Sequence, residues 1–407
     1  MEFTETRDLR GGTSCWLADA HNTLISDAWP DAPVDVAIVG AGVMGAMLAE
    51  RLATAGKTVL LIDRRPPAHG STAASTALVM WGADVPLTHL AQTIGMAEAA
   101  RRWRRVYAAV EGLTRRIEQL GIDCSLIARP ELYLAGTLLD DMALQAEGRA
   151  RREAGLPSDY LDARAVADRF GIAPRAALLS SGSHEVDPVK LTLGLLRKAR
   201  EKGAIACFPL DVEALEHQGD TVLLTTKEGH GIEARAVILA TGYERPSWFL
   251  PPAFKVGSSY AIASAPGMAP LWQENAMIWE ASSPYVYARA TADGRIIAGG
   301  EDEDFSDGEK RDALISGKSG TLKTKLEKLV DAESIPLDCA WAAAFGSSPD
   351  GLPAIGRAAN QERVWLASGF GGNGVTFAAL GAELLTAELA GTPDPDAACF
   401  DPYRFAR

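Results

Sequence analysis

A glycine-rich turn between an apolar strand and a helix constrains this chain more than any other feature. The run Val34–Val39 is short, apolar and β-branched, which predicts a buried parallel strand, and it leads directly into Gly40-Ala41-Gly42-Val43-Met44-Gly45. Residues 43–55 have helical spacing, and a second apolar run at 58–62 ends next to Asp63. The resulting βαβ unit is typical of a dinucleotide-binding fold.

The residues of this turn each have a physical role in holding a dinucleotide. Gly40 permits the tight turn, Gly42 lets a pyrophosphate approach the backbone, and Gly45 packs the helix on the strand. The N-terminus of the helix binds the anion. Asp63, 23 residues after Gly40, accepts hydrogen bonds from ribose hydroxyls.

Two arginines, Arg64 and Arg65, follow Asp63 directly. Arginines at this place are able to bind a ribose 2′-phosphate. Since Asp63 is present, we interpret both of them as surface charges instead.

Composition and charge exclude several classes of function. The 407 residues carry 40 Lys and Arg against 53 Asp and Glu, a net charge of −13, which argues against a nucleic-acid partner. The longest apolar stretch, 36–49, is shorter than the roughly 20 residues of a spanning helix, so we expect no membrane span. Five widely spaced cysteines predict reduced thiols in a cytoplasmic protein, and the six histidines have no metal-ligand spacing.

The rest of the chain predicts two intertwined domains, one of them assembled from three separated pieces. Residues 1–33 form a polar arm, and residues 258–300 are β-rich with a hairpin turn at Asp293-Gly294. The other predicted elements are helices over 90–119, 187–202 and 375–390 and strands over 204–209, 221–226, 236–240 and 364–368.

A second glycine motif, Gly369-Phe370-Gly371-Gly372-Asn373-Gly374, lies between the last predicted strand and helix. The residues that follow Gly374 are too few for a second dinucleotide fold. The loop can point backbone N–H groups and the positive helix end at a developing anion. The alternative is a turn that only packs the helix.

Six motifs in order carry a resemblance to a known family: GAGVMG with Asp63, HGSTAAS (69–75), ATGY (240–243), DGRIIAGGED (293–302), SPDGLPAIG (348–356) and GFGGNGVTFAALGAELL (369–385). From about Val34 to Gly391 the chain resembles the D-amino-acid-oxidase-like FAD-dependent oxidoreductases, the group with glycine oxidase, sarcosine oxidase and γ-glutamylputrescine oxidase. The resemblance implies an α/β fold in which a Rossmann-like FAD-binding domain is interleaved with an α+β substrate domain built on a large antiparallel sheet.

The resemblance also implies a division of the chain and an activity. The FAD-binding domain would comprise 34–122, 184–247 and 345–407, and the substrate domain 123–183 and 248–344. The expected enzyme oxidises the C–N bond of an amine or amino-acid-like small molecule by hydride transfer to flavin N5, with oxygen or an unknown acceptor taking the electrons. The alternatives are a dehydrogenase with a non-oxygen acceptor and a flavin-bearing subunit of a larger assembly.

Cofactor residues are carried over by position. Asp63 and the first glycine motif would hold the ADP part, Val212 would meet the adenine through its backbone, and the second glycine loop would cover the pyrimidine edge of the flavin. The full set is Gly40, Gly42, Val43, Met44, Gly45, Asp63, Arg64, Ser71, Thr72, Ala74, Ser75, Val212, Gly242, Gly371, Gly372, Asn373, Gly374, Val375 and Thr376.

Three departures from the family pattern bear on substrate, acceptor and cofactor attachment. Phe345 stands where amino-acid members often carry a carboxylate-binding arginine. Ile297 stands where sarcosine oxidases carry the lysine that activates oxygen, which leaves Arg289 or Lys255 as other sources of a cation. No Cys or His aligns with a covalent flavin link, so we expect noncovalent FAD.

The catalytic candidates alternate along one predicted strand. Tyr285, Tyr287 and Arg289 therefore share one face of the sheet. On the inner face, the tyrosines would shape an aromatic pocket and Arg289 would bind a substrate carboxylate. On the outer face, Arg289 would be solvated.

Overall fold

The computed structural model describes residues 4–17, 24–246 and 248–405. The remaining residues, which belong to the predicted arm and to the predicted FAD-binding domain, lie outside the described residues. In chain order the described strands are β1 Arg10–Gly12, β2 Val34–Val39, β3 Val59–Ile62, β4 Leu78–Val79, β5 Ile127–Leu134, β6 Ser158–Leu161, β7 Ala177–Glu185, β8 Ile205–Cys207, β9 Val212–Gln218, β10 Thr221–Thr226, β11 Gly231–Leu239, β12 Lys255–Ser264, β13 Met277–Glu280, β14 Val286–Ala290, β15 Ile296–Glu303, β16 Leu337–Ser347, β17 Ala354–Arg357 and β18 Val364–Ser368.

The described α-helices include every segment predicted to be helical and four that were not predicted, at 141–153, 163–170, 308–313 and 315–329. They are α1 Val43–Thr54, α2 Leu87–Ile94, α3 Met96–Leu120, α4 Asp141–Glu153, α5 Ala163–Phe170, α6 Pro188–Glu201, α7 Gly308–Ala313, α8 Ile315–Leu329 and α9 Gly374–Leu389. Asp187 caps α6, because its carboxylate accepts the N–H groups of Val189 and Lys190. The single helix predicted over 90–119 is instead two helices, α2 and α3, with Gly95 between them.

The smaller sheet has the order β17-β18-β11-β2-β3-β8, extended by β9 and β10. Its strands β18, β11, β2, β3 and β8 run parallel. The carboxyl ends of parallel strands meet at one edge of a sheet, and ligands bind there. This edge therefore brings together Gly40, Asp63, Thr241 and Gly369, the residues at or just beyond the ends of β2, β3, β11 and β18.

Both faces of the smaller sheet are buried, as the continuous apolar runs predict. Ile38 and Leu61 pack in the core that also contains residues of α1. Val39 and Leu60, which point the other way, belong to a second core. The close contact of α1 with β2 requires Gly45, because a Cβ at that position would collide with the carbonyl oxygen of Gly40.

The larger sheet has the order β1-β16-β12-β15-β14-β13-β5-β7-β4, with β6 paired to β7. Its described pairs are antiparallel except for β13 with β5, so the predicted large antiparallel sheet is present with one parallel pair. The predicted hairpin at Asp293-Gly294 joins β14 to β15. Strand β1, from the predicted arm, pairs with β16 at one edge of this sheet.

Three features of the described residues bear on the expectations from composition. No described helix combines the length and the apolar character that crossing a bilayer requires. All five cysteines are buried and free. No group of three or more potential metal-ligating side chains occurs among the described residues.

Candidate cofactor and substrate site

A continuous cavity lies between the carboxyl edge of the smaller sheet and the larger sheet. Most of the residues predicted for the site line it. From the predicted set, the lining residues are Gly40, Gly42, Val43, Met44, Asp63, Arg64, Ser71, Thr72, Ala74, Ser75, Val212, Gly242, Gly372, Asn373, Gly374, Val375, Tyr285 and Tyr287. Gly45, Gly371, Thr376 and Arg289 do not line it.

Asp63 and the first glycine motif, Gly40 to Gly45, form the dinucleotide fingerprint at one end of the cavity, the fingerprint end. The backbone holds the carboxylate of Asp63 in place. Its carboxylate accepts the N–H of Ala41 at 2.6 Å and the N–H of Arg65 at 2.8 Å. Burial raises the pKa of Asp63, and these two hydrogen bonds oppose that rise by favouring the charged form. The carboxylate is thus oriented before any ligand binds.

The short 3-10 turn Ser71–Ala74 forms the wall next to the N-terminus of α1. The hydroxyl of Thr72 accepts the N–H of Val43 at 3.0 Å, so it satisfies one of the free donors at the start of that helix. The hydroxyl oxygens of Ser71 and Thr241 are buried and have no hydrogen-bond partner within the described residues. Because both residues line the cavity, a polar ligand there would supply the missing partners.

Arg64 and Arg65, which we interpreted from the sequence as surface charges, are partly buried and paired with acids. Arg65 forms two 2.8 Å hydrogen bonds to the buried carboxylate of Glu244. Arg64 pairs with Asp211 at 2.9 Å and with Glu244 at 3.3 Å. The acids that neutralise these arginines lie far away in the chain, so no local pattern could reveal the pairing.

Residues of the N-terminal arm form part of the site, which sequence reasoning missed. Thr4 and Leu9 line the cavity. Further along, Ser14 and Trp16 donate side-chain hydrogen bonds to the backbone carbonyls of Ala73 and Ser75. The arm therefore packs against the loop predicted to lie along the cofactor.

The second glycine loop lies at the N-terminus of α9, and its backbone borders the cavity. The hydroxyl of Thr376 is turned away and donates to the carbonyl of Met80 at 2.8 Å. The amide of Asn373 donates to the carbonyl of Gly82. The side chain of Thr376 thus fastens the loop to residues 80–82, and a cofactor contact of Thr376 stays a prediction.

The larger sheet contributes an aromatic wall. Tyr285 and Tyr287 line the cavity with their rings stacked at a centroid distance of 6.0 Å, and Trp279 lies on the same wall. Tyr285 donates its hydroxyl to Asp302 at 2.8 Å. Burial and the charge of Asp302 raise the pKa of Tyr285 well above its ordinary value, so this phenol stays protonated.

Arg289 takes neither of the two positions expected for it. It is 1% exposed and donates to the backbone carbonyls of Thr76, Val186 and Ala290 at 2.6–3.1 Å. Its guanidinium also lies 3.6 Å from Glu185. The role of Arg289 as a carboxylate anchor is therefore wrong, because all of its donors face the protein and not the cavity.

The residues at which this chain departs from the family pattern lie at different places relative to the cavity. Phe345 lines the cavity, where it presents an apolar ring. Ile297 is fully buried in a small core with Ala74 and Trp341 and does not border the cavity. Lys255 begins β12 on the surface, and none of the described lining residues is a lysine.

Asp84 and Tyr243 line the cavity but were not predicted. Asp84 accepts the N–H of Gly372 at 2.7 Å. Burial raises the pKa of Asp84 to about 6, with a further contribution from the charge of Asp302. A single aspartate in the stretch GADVP has no spacing that could have identified it.

Comparisons with known proteins agree with this geometry. Residues 35–388 match the model of the family described as DAO, FAD dependent oxidoreductase. The chain is 24% identical to glycine oxidase of Bacillus licheniformis over 371 residues, which covers 88% of this chain and 94% of that protein.

Two solved structures have the same fold. Glycine oxidase from Geobacillus kaustophilus matches with a TM-score of 0.74 and 20% identity, over 91% of this chain and 98% of that one. L-proline dehydrogenase from P. horikoshii matches with a TM-score of 0.75 and 19% identity, over 92% and 98%. These matches confirm the predicted fold class.

Proposed function

Because the chain belongs to the DAO family of FAD-dependent oxidoreductases, we propose that it binds FAD noncovalently and oxidises the C–N bond of an amine or amino-acid-like small molecule. The observation that carries the proposal is the continuity of one cavity. It extends from the fingerprint and Asp63, past the unpartnered hydroxyls of Ser71 and Thr241, to the aromatic wall of Tyr285 and Tyr287.

The residues of this chain fit FAD along that path. Gly40, Gly42 and the N-terminus of α1 would hold the pyrophosphate, and Asp63 would accept the ribose hydroxyls. The backbone of Val212 would meet the adenine. The loop from Gly372 to Val375 would border the pyrimidine edge of the flavin.

When bound, FAD supplies the acceptor for the hydride that leaves the carbon next to the substrate nitrogen, and water hydrolyses the imine. The chain supplies the surroundings. Trp279, Tyr285 and Tyr287 would exclude water from the reacting carbon and orient the substrate. The positive end of α9 would stabilise negative charge at the pyrimidine edge.

Noncovalent binding is supported by the composition of the cavity wall. Within the described part of the chain, neither a cysteine nor a histidine lines the cavity. The five cysteines are buried elsewhere as free thiols, which also supports our proposal of a cytoplasmic location. We retain the division of the chain into arm, FAD-binding and substrate domains as part of the proposal.

A dehydrogenase with a non-oxygen acceptor is a second candidate, favoured by one observation. No lysine lines the cavity among the described residues, and the guanidinium of Arg289 is bound to backbone carbonyls. The reduced cofactor would therefore lack a positioned cation to stabilise the charge that forms during its reaction with oxygen.

The experiment is anaerobic bleaching of the flavin absorbance by a panel of amines and amino acids. At least one member of the panel should bleach the bound flavin within seconds. Acid precipitation of the same preparation should release the chromophore into the supernatant, whereas a coloured pellet would contradict noncovalent binding. Bound flavin that no amine or amino acid reduces would contradict the proposed reaction.

A further inference from the structure

The charged residues that line the cavity fall into two groups. Five of them form the fingerprint end, where the arginines are paired with acids: Asp63, Arg64, Arg65, Asp211 and Glu244. The remaining charged residue of the described lining is Asp84, which lies beside Gly372 of the second glycine loop. Asp84 also lies near the aromatic wall, because its charge contributes to the raised pKa values of Tyr285 and Tyr287. The end of the cavity at this wall, the substrate end, thus carries a negative charge.

Asp84 has no basic partner among the described residues. Its Oδ2 accepts one backbone N–H, from Gly372, and no described ion pair includes its carboxylate. The side chain is exposed to the cavity, and desolvation by the surrounding protein raises its pKa. A bound substrate would displace water from this carboxylate, and a positive charge on that substrate would offset the free energy that the desolvation costs.

The aromatic wall provides a second, independent indication of a cation. Tyr285 and Tyr287 both border the cavity, with their rings stacked. The negative faces of aromatic rings attract ammonium groups. The hydroxyl of Tyr285 is bound to Asp302, whose other oxygen is buried without a partner in the described chain. Electron-rich groups therefore surround the substrate end.

A substrate carboxylate would find no counter-ion there. Phe345 lines the wall at the position of the family's arginine. Arg289 does not line the cavity, and its guanidinium donates to the backbone carbonyl of Thr76. A carboxylate would also meet the like charge of Asp84, which is unfavourable. The cavity therefore disfavours α-amino acids compared with amines that lack a carboxylate.

We infer that the substrate is a cationic amine of the diamine type, in which one nitrogen is oxidised and the other, as an ammonium group, binds Asp84 against the rings of Tyr285 and Tyr287. The inference rests on the proposed function, whose reaction it leaves unchanged. It adds the class of substrate and makes Asp84 the residue that determines specificity.

The test uses the FAD-loaded enzyme and a matched pair of compounds, butane-1,4-diamine and 4-aminobutanoate. The two compounds share one amino end, and the other end has an ammonium group in the diamine and a carboxylate in 4-aminobutanoate. We expect kcat/KM to be at least tenfold higher for the diamine. Tetramethylammonium, which cannot be deprotonated, should perturb the flavin spectrum on binding. Asp84→Asn should weaken the binding of both the diamine and tetramethylammonium at least tenfold.

Asp304→Asn is the matched control. It removes one negative charge from an exposed residue next to Asp302, outside the cavity lining, and should leave both ligands unaffected. Equal affinity of Asp84→Asn and the parent for tetramethylammonium would overturn the inference, as would a faster reaction of the parent with 4-aminobutanoate.

Two further results separate the inference from the proposed function. If no amine bleaches the flavin but Asp84→Asn still has a lower affinity for tetramethylammonium than the parent, the proposed reaction is wrong and the cation site is confirmed. If amino acids bleach the flavin equally in parent and variant, the reaction stands and the cation site is wrong.

If Asp84→Asn loses FAD, a second pair of variants still tests the cation site. Tyr285→Leu removes the aromatic face and should weaken tetramethylammonium severalfold, whereas Tyr285→Phe keeps the ring and should retain most of the affinity. Identical affinities of these two variants would contradict a cation held against the ring.

Discussion

The indole Nε1 of Trp16 donates a 2.7 Å hydrogen bond to the backbone carbonyl of Ser75. This bond joins the N-terminal arm to the loop that borders the proposed FAD site, 59 residues further along the chain. Ser14 adds a second bond, to the carbonyl of Ala73. The arm thus fixes the position of the hydroxyl-bearing loop without itself belonging to the dinucleotide fingerprint.

Replacing Trp16 by Phe should weaken FAD binding two- to tenfold. One hydrogen bond contributes about 0.5–1.5 kcal/mol, and its loss lets the loop at Ser75 move. The measurement is a fluorescence titration of apoprotein with FAD. Trp248→Phe, at a tryptophan that is 52% exposed and outside the cavity, should bind FAD like the parent. Unchanged affinity in Trp16→Phe would show that the arm does not support the loop.

Asp63→Ala should weaken FAD binding at least tenfold. The substitution removes the charged acceptor for the ribose hydroxyls, and hydrogen bonds to charged groups contribute about 1.5–3 kcal/mol. It also frees the N–H groups of Ala41 and Arg65. Asp304→Ala is the control in the same titration. A variant with parental affinity would remove Asp63 from the site.

Arg289→Met should reduce the stability of the protein and not its affinity for carboxylates. The carbonyls of Thr76, Val186 and Ala290 would lose these donors, and leaving a buried acceptor without its partner costs about 1–3 kcal/mol. Chemical denaturation measures the change, with Arg164→Met, at an exposed helix position, as the control. A stable variant that loses only carboxylate binding would restore the anchor role.

Binding of tetramethylammonium should be lost as the pH falls through about 6. Burial raises the pKa of Asp84 to about 6, and the cation binds the ionised carboxylate. Affinity is therefore constant above that pH and decreases tenfold per pH unit below it. Asp302 is the other acid nearby, while Tyr243, Tyr285 and Tyr287 have raised pKa values and stay neutral.

The control for this profile is Asp84→Asn, whose residual binding should not vary between pH 5 and pH 8. If binding to Asp84→Asn still decreased below pH 6 as it does in the parent, the titrating group would be Asp302 instead.

Reoxidation of the reduced enzyme by oxygen should be slow compared with its reaction with an artificial electron acceptor. The physical reason is the lack of a lysine among the described lining residues. Stopped-flow absorbance under each acceptor measures both rates. Rapid reoxidation by oxygen would identify the protein as an oxidase and would contradict the expected lack of a positioned cation.

Local sequence determined the cofactor half of the site. The bounds of β2 and the start of α1 follow from the apolar run and from the glycines, because Gly45 alone admits the close contact with Gly40. Asp63 follows from its fixed distance to that turn. These features depend on neighbours within about 30 residues, so a pattern in the chain contains them.

Only the tertiary structure decided the substrate half. Alternation predicted one shared face for Tyr285, Tyr287 and Arg289 and left open whether that face is the inner one. In the structure the two tyrosines line the cavity, whereas Arg289 is bound by the carbonyls of Thr76 and Val186, which come from distant segments. Whether Asp84 has a counter-ion likewise depends on segments that are distant in the sequence, and no described segment brings a basic side chain to it. Whether a charged side chain is paired or faces a ligand depends on which remote backbone and side-chain groups the fold brings beside it, and no spacing in the chain encodes that.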